Sequence, residues 1–500
     1  MICVSVGRSS HQNMRATHTA LAKAGAKLVE LRLDWLKRAP DVNALLTDRP
    51  TPVIVTCRRA VDRGRWRASE EDRMTAIRTA IVGGAEFIDL EDDIAASVPR
   101  FGKTKRIVSH HNFDETPADL KSIHAEMAKS DPDVIKLVTM ANSPMDSIRM
   151  LELVQSSEIP TVGFCMGEFG TATRVLCGKY GSPWTYASFS SEREIAPGML
   201  SYEQMVRIYQ YDSIGKDTEV FGVMGDPIGH SMSPLLHNTA FASIDFNGVY
   251  VPWRVPAHQF REAMDGFTRI GIKGLSVTIP LKQEAAATAS VTDQTVKDSG
   301  ASNTLYRDDS NQWRATNTDY GAALETIKAG LRDAGQSDSL AGKRVLLLGC
   351  GGVSRAIALA LLRNEAIVTV TGRSEKKVKA FANELNCNFV TWENRAAEFA
   401  DILVNGTPVG MSPNMNEMPY PENTLREGML VFDTIYNPEN TMLIRQARER
   451  GCYIATGLEM FVRQAAGQFE LFTKQPAPLD VFRETMRRAI SPVHYRQDEE

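Results

Sequence analysis

Over the first 212 residues, short β-rich runs alternate with longer polar or amphipathic stretches, and this alternation constrains the fold more than any other feature. The runs are ICVSVG, KLVELRLDW, PVIVTCR, EFIDLEDD, KRIVSHHNF, DVIKLVTM, PTVGFCMG and YASFS. Most intervening stretches, such as MRATHTALAKAGA and DRMTAIRTAIVGGA, are long enough for a helix, which is the pattern of a parallel sheet. Eight repeats point to a (β/α)8 TIM barrel over residues 1–212 in preference to an open doubly wound sheet. The stretch before the last run, EFGTATRVLCGKYGSPW, reads more as loop than as helix.

Composition narrows the partners. Of 500 residues, 43% are hydrophobic and 24% charged, an ordinary soluble balance. A net charge of −4 with no Lys/Arg block argues against a nucleic-acid surface and favours small-molecule substrates. The seven cysteines show no CxxC and no Cys/His metal spacing, which suits free thiols in a reducing cytoplasmic compartment and no metal site. The opening MICVSVG already reads as a strand, so no signal or transit peptide is expected. No run approaches the roughly 18 apolar residues of a membrane span. Oligomeric state leaves no mark in these patterns.

A polar stretch, YDSIGKDTEV, places a boundary near residues 212–219. From 220 to about 330, GVYVPWRV and IKGLSVTIP read as strands with helices between them, and the helical tail from 458 to about 490 is expected to complete this lobe. Between 335 and 457 lies a second α/β unit opening with RVLLLGCGGVSRAIALALL, an apolar strand, a Gly-rich turn and an amphipathic helix. Gly349, Gly351 and Gly352 would let a pyrophosphate approach the helix N-terminus, the layout of a Rossmann-type dinucleotide lobe, although Ser354 stands where the strict pattern has Gly or Ala. The next strand, IVTVTGRS, ends without the acid that holds a free ribose 2′-hydroxyl. Arg373, Ser374 and Lys377 stand there instead, which favours the 2′-phosphate of NADP over NAD.

Ionisable residues gather where barrel strands end. Glu30 and Arg32, two apart, share one strand face; Arg58, Glu91, His111 and Lys136 fall on the third to sixth strands, and Arg174 follows the seventh. Lys136 lies among Val134, Ile135, Leu137 and Val138, where an unpaired ammonium is costly. Desolvation there would free an amine able to attack a ketone and form an imine. His111 would be the proton shuttle, Glu91 its orienting carboxylate, and Arg58 and Arg174 the grip on a substrate carboxylate.

The set Lys136, SHHNF, VELRLDW, TCR and IDLE resembles type I 3-dehydroquinate dehydratase over nearly all of residues 1–212. The resemblance implies Schiff-base dehydration of 3-dehydroquinate to 3-dehydroshikimate, with Lys136 forming the imine and His111 as acid and base. It implies that Glu30, Arg32, Arg58 and Arg174 bind substrate, and it puts Asn112 where the family often has Asp. Where the family carries SAPGQ this chain reads IAPGM, so Ile195 and Met199 replace a hydroxyl and an amide.

In the second half, GDPIGHSMSP offers Ser231 and Ser233 to a hydroxyl- or carboxylate-bearing ligand, VTIPLK supplies Thr278 and Lys282, GASNT supplies Asn303, and NTDY supplies Asp319. A carboxylate beside a lysine can hold an ammonium in place to pass a proton to an alkoxide formed by hydride addition. With GCGG, NGTPVGM, DTIYNP and GLEMFVRQA following in order, residues 220–490 resemble shikimate dehydrogenase. That resemblance implies NADPH-dependent reduction of 3-dehydroshikimate to shikimate. Lys282 and Asp319 would be the catalytic pair; Ser231, Ser233, Thr278, Asn303, Gln464 and Tyr436 the substrate binders; Gly457 and Met460 neighbours of the cofactor. Ser276 stands where family members often have Asn.

The ketone made by the first half is the one reduced by the second. The expectation is therefore a fused lyase and oxidoreductase of aromatic amino-acid precursor synthesis. A second reading keeps only the dehydrogenase fully active, on shikimate or quinate, with the barrel impaired at Ile195 and Met199. A ligand-sensing regulator would need lost catalytic residues or a nucleic-acid module, and the sequence shows neither.

Overall fold

The computed structural model describes residues 1–189 and 198–490. Ile195 of IAPGM lies outside the described residues. Two compact units are present: Met1–Pro234 with Asn247–Ile272, and Leu235–Phe246 with Lys273–Glu500.

In the first unit, eight strands form one parallel sheet: β1 (Ile2–Val6), β2 (Leu28–Arg32), β3 (Val53–Thr56), β4 (Phe87–Glu91), β5 (Lys105–Asn112), β6 (Val134–Met140), β7 (Thr161–Met166) and β8 (Thr185–Ser188). Their order is β7-β6-β5-β4-β3-β2-β1-β8, with β7 and β8 at the two ends of the ladder, so the sheet is a nearly closed barrel. Helices α1 (His11–Lys23), α2 (Val42–Leu46), α3 (Glu70–Val82), α4 (Asp92–Ala95), α5 (Leu120–Ala128), α6 (Pro144–Ser156), α7 (Thr171–Leu176) and α8 (Tyr202–Arg207) join or follow the strands. The stretch EFGTATRVLCGKYGSPW, expected as loop, contains α7. Its six residues give too short an apolar pattern to separate helix from turn by periodicity. Helix α6 has the clearest local cause: Ser143 and Asp146 form a reciprocal capping box, and Pro144 occupies the first turn, where its missing N–H costs nothing.

Alternation along each strand decides what faces the barrel interior. Val134 and Val138 of β6 join the interior apolar cluster with Cys3, Ile54, Ile107 and Phe164. Lys136, two residues from each, faces the same way. The first unit continues into β9 (Glu219–Gly225) and β10 (Gly248–Arg254), a parallel pair.

The second unit takes in most of α9 (Ser233–Ser243); α10 (Phe260–Arg269) belongs to the first and packs on α6, where a Cβ at Gly266 would come within 2.4 Å of Ile148. Strands β11 (Ile272–Val277), β13 (Thr304–Arg307) and β14 (Trp313–Thr316) run antiparallel in that order, and β12 (Val291–Thr292) lies parallel to β14. Helices α11 (Lys282–Thr288), α12 (Gln294–Ser299) and α13 (Thr318–Asp333) accompany them.

A wholly parallel six-stranded sheet follows. It contains β15 (Arg344–Leu348), β16 (Ile367–Thr371), β17 (Asn388–Phe389), β18 (Ile402–Asn405), β19 (Leu430–Asp433) and β20 (Tyr453–Thr456). The order β17-β16-β15-β18-β19-β20 is the doubly wound Rossmann arrangement, with its switch point between β15 and β18. Helices α14 (Gly352–Arg363), α15 (Glu375–Leu385) and α16 (Met442–Glu449) belong to it, and α17 (Gly457–Thr473) and α18 (Leu479–Ile490) are the last helices among the described residues. Both faces of β15 are covered: Val345 and Leu347 enter one core cluster, Leu346 and Leu348 another. Burial on two sides explains the unbroken apolar run VLLL. Among the described residues, no helix is long and apolar enough to cross a membrane.

Candidate active sites

The C-terminal rim of the barrel holds a cavity of about 220 Å³ lined by Glu30, Arg32, Arg58, His111, Lys136 and Arg174, six of the seven rim residues expected from the sequence. Lys136 is not isolated. Its Nζ lies 3.0 Å from Asp89 Oδ2 and 3.4 Å from Glu30 Oε1, and 4.1 Å from the centre of the Tyr186 ring. The amine expected to be desolvated therefore has charge partners, and they come from β2 and β4, far away in sequence.

Glu30 is itself held on both oxygens, accepting from Ser5 Oγ at 2.6 Å and Thr56 Oγ1 at 2.8 Å. Burial pushes its carboxyl up, but Lys136 and Arg32 outweigh burial and hold it below its ordinary range. Arg32 makes a two-pronged pair with Asp34, each contact 2.9 Å. Asp89 accepts from Arg58 Nη2 at 2.7 Å and Ser109 Oγ at 2.6 Å. Against burial, Arg58 and Lys136 drive its carboxyl far below the usual range.

His111 faces the cavity, whereas its neighbour His110 points to the other side of β5 and meets Asp92 at 2.8 Å. Burial, followed by the nearby Arg58 and Lys136, lowers the His111 pKa well below the ordinary value of 6.5, so the ring is a neutral base at physiological pH. Its face stacks on Phe113 with centroids 5.8 Å apart. Glu91, expected to orient His111, is engaged elsewhere: Arg58 Nη1 lies 3.1 Å from one oxygen and Arg73 Nη1 donates to the other at 2.9 Å. Arg73 and Glu91 therefore brace Arg58 from behind. Arg174, on α7, lies with its guanidinium carbon 4.6 Å from the Phe164 centroid. Met199 is buried against the interior cluster and forms an apolar wall of the same cavity.

In the second unit, Lys282 opens α11 and Asp319 lies in the first turn of α13. Lys282 Nζ donates to Asp319 Oδ2 at 2.6 Å. Asn303 Nδ2 donates to the other oxygen of Asp319 at 2.9 Å, and Asn303 Oδ1 accepts from the Thr318 N–H at 2.8 Å. Asn317 caps α13 by accepting from the Asp319 N–H. Asp319 is thus fixed from two sides before it meets the lysine. Thr278 precedes α11 by four residues, and its carbonyl accepts from the Leu281 N–H. In the first unit, Ser231 Oγ accepts from the Ser233 N–H at 3.3 Å. Gln464 lies on α17, and so does a residue the sequence reading missed, Gln468. Its Oε1 accepts from Ser276 at 2.7 Å, while its Nε2 donates to the Asn303 carbonyl and to Thr304, each at 3.1 Å. Ser276 is therefore tied to the element that carries Asn303.

The dinucleotide fingerprint has physical reasons at each position. Gly349 has φ +101°, and a Cβ there would sit 2.9 Å from the Gly406 carbonyl oxygen, so only glycine fits. Gly351 caps α14, and nothing lies within 4 Å of a Cβ added at Gly351 or Gly352. That open cradle at a helix N-terminus suits a pyrophosphate. Ser354 is fully buried and donates to the Gly406 carbonyl at 3.3 Å, so the serine bonds the β15 helix to the end of β18 at the switch point. Arg373, Ser374 and Lys377 are exposed just beyond β16. Gly457 opens α17, where a Cβ would meet the Thr434 carbonyl at 2.4 Å, and Met460 is buried in the cluster beside β15. Burial raises the Tyr436 hydroxyl pKa, and its ring lies 4.8 Å from Phe461.

Two further residues escaped the sequence reading for different reasons. Asp89 was legible, because IDLE puts Asp89 and Glu91 on one strand face as surely as Glu30 and Arg32 share theirs. Gln468 carried no signal, since one glutamine of a helix cannot be told from another a turn away.

A lysine-centred (β/α)8 lyase barrel joined to a Rossmann-type NADP-dependent oxidoreductase is the class that this fold and these two sites define. Comparison with known proteins agrees. The profile of type I 3-dehydroquinase matches residues 2–216, that of the shikimate dehydrogenase substrate-binding domain 223–305, and that of the shikimate 5′-dehydrogenase C-terminal domain 457–487. A saccharopine dehydrogenase NADP-binding profile matches 345–457. The chain belongs to the bifunctional 3-dehydroquinate dehydratase/shikimate dehydrogenase family: it is 34% identical to the chloroplastic enzyme of that name from Arabidopsis thaliana, over 98% of this chain and 84% of the relative. The dehydrogenase half alone is 32% identical to shikimate dehydrogenase (NADP(+)) of Methanothermobacter thermautotrophicus, over 55% of this chain and 98% of the relative. A crystal structure of shikimate dehydrogenase in complex with NADP+ superposes on 55% of this chain and 97% of its own, with 30% identity and a TM-score of 0.51.

Proposed function

We propose that residues 1–212 dehydrate 3-dehydroquinate through an imine on Lys136, and that 220–330 completed by 458–490, with a cofactor lobe at 335–457, reduce the product to shikimate. The observation that carries the reading is the pair of lysine sites: Lys136 clasped by Asp89 and Glu30 beside a neutral His111, and Lys282 at 2.6 Å from Asp319.

In the barrel, Glu30 and Asp89 hold Nζ at a fixed point on the cavity wall. Arg174, buried and lining the same cavity, receives the substrate carboxylate, a role its guanidinium fork suits. Nζ attacks the ketone, and His111 relays the protons that the nitrogen sheds to the carbonyl oxygen, which leaves as water to give a protonated imine and a His111 that is neutral again. The imine withdraws electrons from the neighbouring carbon, which yields its proton to His111. His111 returns that proton to the departing hydroxyl, and hydrolysis of the imine frees Lys136 and the enone.

In the dehydrogenase, Lys282 protonates the carbonyl oxygen as it becomes an alcohol, and Asp319, braced by Asn303, keeps the ammonium aimed there. Ser231, Ser233, Thr278, Asn303, Gln464 and Tyr436 bind the ring substituents, roles carried over from the family motif by motif. The open cradle at Gly351 and Gly352 fits a dinucleotide pyrophosphate, with Gly349, Gly457 and Met460 around it. Bound NADPH supplies the hydride. NADP is preferred over NAD because Arg373, Ser374 and Lys377 follow β16, while the acid among them, Glu375, is paired with Lys379 at 2.6 Å.

Incubating the protein with 3-dehydroquinate and NADPH should produce enone absorbance followed by NADPH loss, with NADH a poor substitute. Borohydride added with substrate should label Lys136. A label on any other residue, or equal rates with NADH, would overturn the corresponding assignment.

A further inference from the structure

Within the first unit, one arginine stands between the rim of the barrel and the serine loop of the dehydrogenase. Arg254 is the last residue of β10. Its Nη1 donates to Glu168 Oε2 at 2.9 Å, its Nε donates to Asp226 Oδ1 at 2.8 Å, and its guanidinium carbon lies 4.9 Å from the Phe169 ring centre. Glu168 and Phe169 belong to the turn between β7 and α7, the helix that carries Arg174 into the barrel cavity. Asp226 opens DPIGHSMS, the loop that presents Ser231 and Ser233. The second oxygen of Glu168 reaches this loop directly, since a Cβ added at Gly229 would come within 3.3 Å of Oε1. One carboxylate and one guanidinium thus hold the serine loop against a turn that belongs to the other enzyme.

We infer that Arg254 is a positioning residue for the dehydrogenase, and that the barrel supplies Glu168 to fix the serine loop in its substrate-binding shape. The inference rests on the reading of Ser231 and Ser233 as substrate binders. Each ion pair by itself is modest, because the three side chains are 27–40% exposed and water competes for them. The gain is geometric: three contacts on one planar guanidinium leave the loop one arrangement, and a loop ordered before binding does not have to be ordered by the substrate. The consequence is an effect on substrate affinity rather than on the chemical step. The hydride and proton transfers depend on Lys282 and Asp319, which these contacts do not include.

The test uses the full-length protein with NADP and shikimate. Glu168→Gln, nearly isosteric and on a half-exposed residue, and Arg254→Met should each raise the KM for shikimate by about 3-fold, the size an exposed ion pair allows, with kcat held. The double variant should be no worse than Arg254→Met alone, and Arg254→Lys should recover part of the loss. Melting temperatures measured alongside separate loop effects from misfolding. A KM unchanged by Glu168→Gln, or a double variant whose effect is the product of the singles, would overturn the proposal. Ser231→Ala tests the underlying reading: a raised KM there beside a flat KM in Glu168→Gln rejects the bridge alone. A flat KM in Ser231→Ala rejects both.

Discussion

At the scale of residues, the barrel site is a string of charges with Asp89 at its centre. One oxygen serves Lys136 and the other serves Arg58 and Ser109. Asp89→Asn keeps the shape but leaves the two cations with one fewer anion between them, and it should slow dehydration on the order of 100-fold by letting Nζ drift from its attack position. Borohydride trapping should slow in parallel, while reduction of 3-dehydroshikimate is unaffected; unchanged trapping would show that Glu30 alone suffices. Lys136 itself was legible, because a lysine in a β-branched run has few innocent readings. That Asp89 and Glu30 would be the carboxylates meeting it was not. Alternation along a strand tells which face a residue takes but not which distant residue meets it, and Glu30 lies 106 positions away. Glu91 was assigned to His111 for the same reason: the face was right, but two arginines claimed the carboxylate.

At the scale of elements, Asp433 joins three pieces of the nucleotide-binding sheet. It ends β19, accepts from Asn405 of β18 at 3.0 Å and from the Ile435 N–H at 3.1 Å, and accepts from Thr441, the cap of α16, at 2.6 Å. Burial pushes its carboxyl up from 3.8 to about 6, with the three hydrogen bonds offsetting part of that rise. A carboxyl raised by folding stabilises the fold below its unfolded value, and that contribution is lost as pH rises through the folded one. Between pH 4 and 6 this group should therefore remove about 3 kcal/mol of stability. Urea unfolding at several pH values should find the slope flattened in Asp433→Asn; an unchanged slope would place the titration on another group. Element types were largely readable here, since β15 and α14 declare themselves by an apolar run, glycines and a helical period. The short helix α7 was not, because six residues hold less than two turns of pattern.

At the scale of the whole molecule, the two proposed sites rest on separate lysines, so the two chemistries should separate cleanly. Lys136→Met should still reduce 3-dehydroshikimate but leave 3-dehydroquinate untouched, and Asp319→Asn should convert 3-dehydroquinate to the enone and stop there. Mixing the two variants should restore NADPH consumption from 3-dehydroquinate, because the enone made by one is substrate for the other; loss of enone formation in Asp319→Asn would refute this independence. The two-enzyme layout was legible from the order of motifs along the chain. The Arg254 contacts were not, since nothing in a linear pattern announces which turn of one domain touches which loop of the next. The charge string of the barrel also bears on how the chain folds. Its links span 25 residues from Ser5 to Glu30, 47 from Asp89 to Lys136 and 106 from Glu30 to Lys136, so none can form until distant strands have met. Loop closure of that length is slow, and buried charges lacking their counter-ions oppose collapse. A half-assembled barrel should consequently be unstable, and the charge string that lines the cavity should penalise conformers in which the strands have paired out of register.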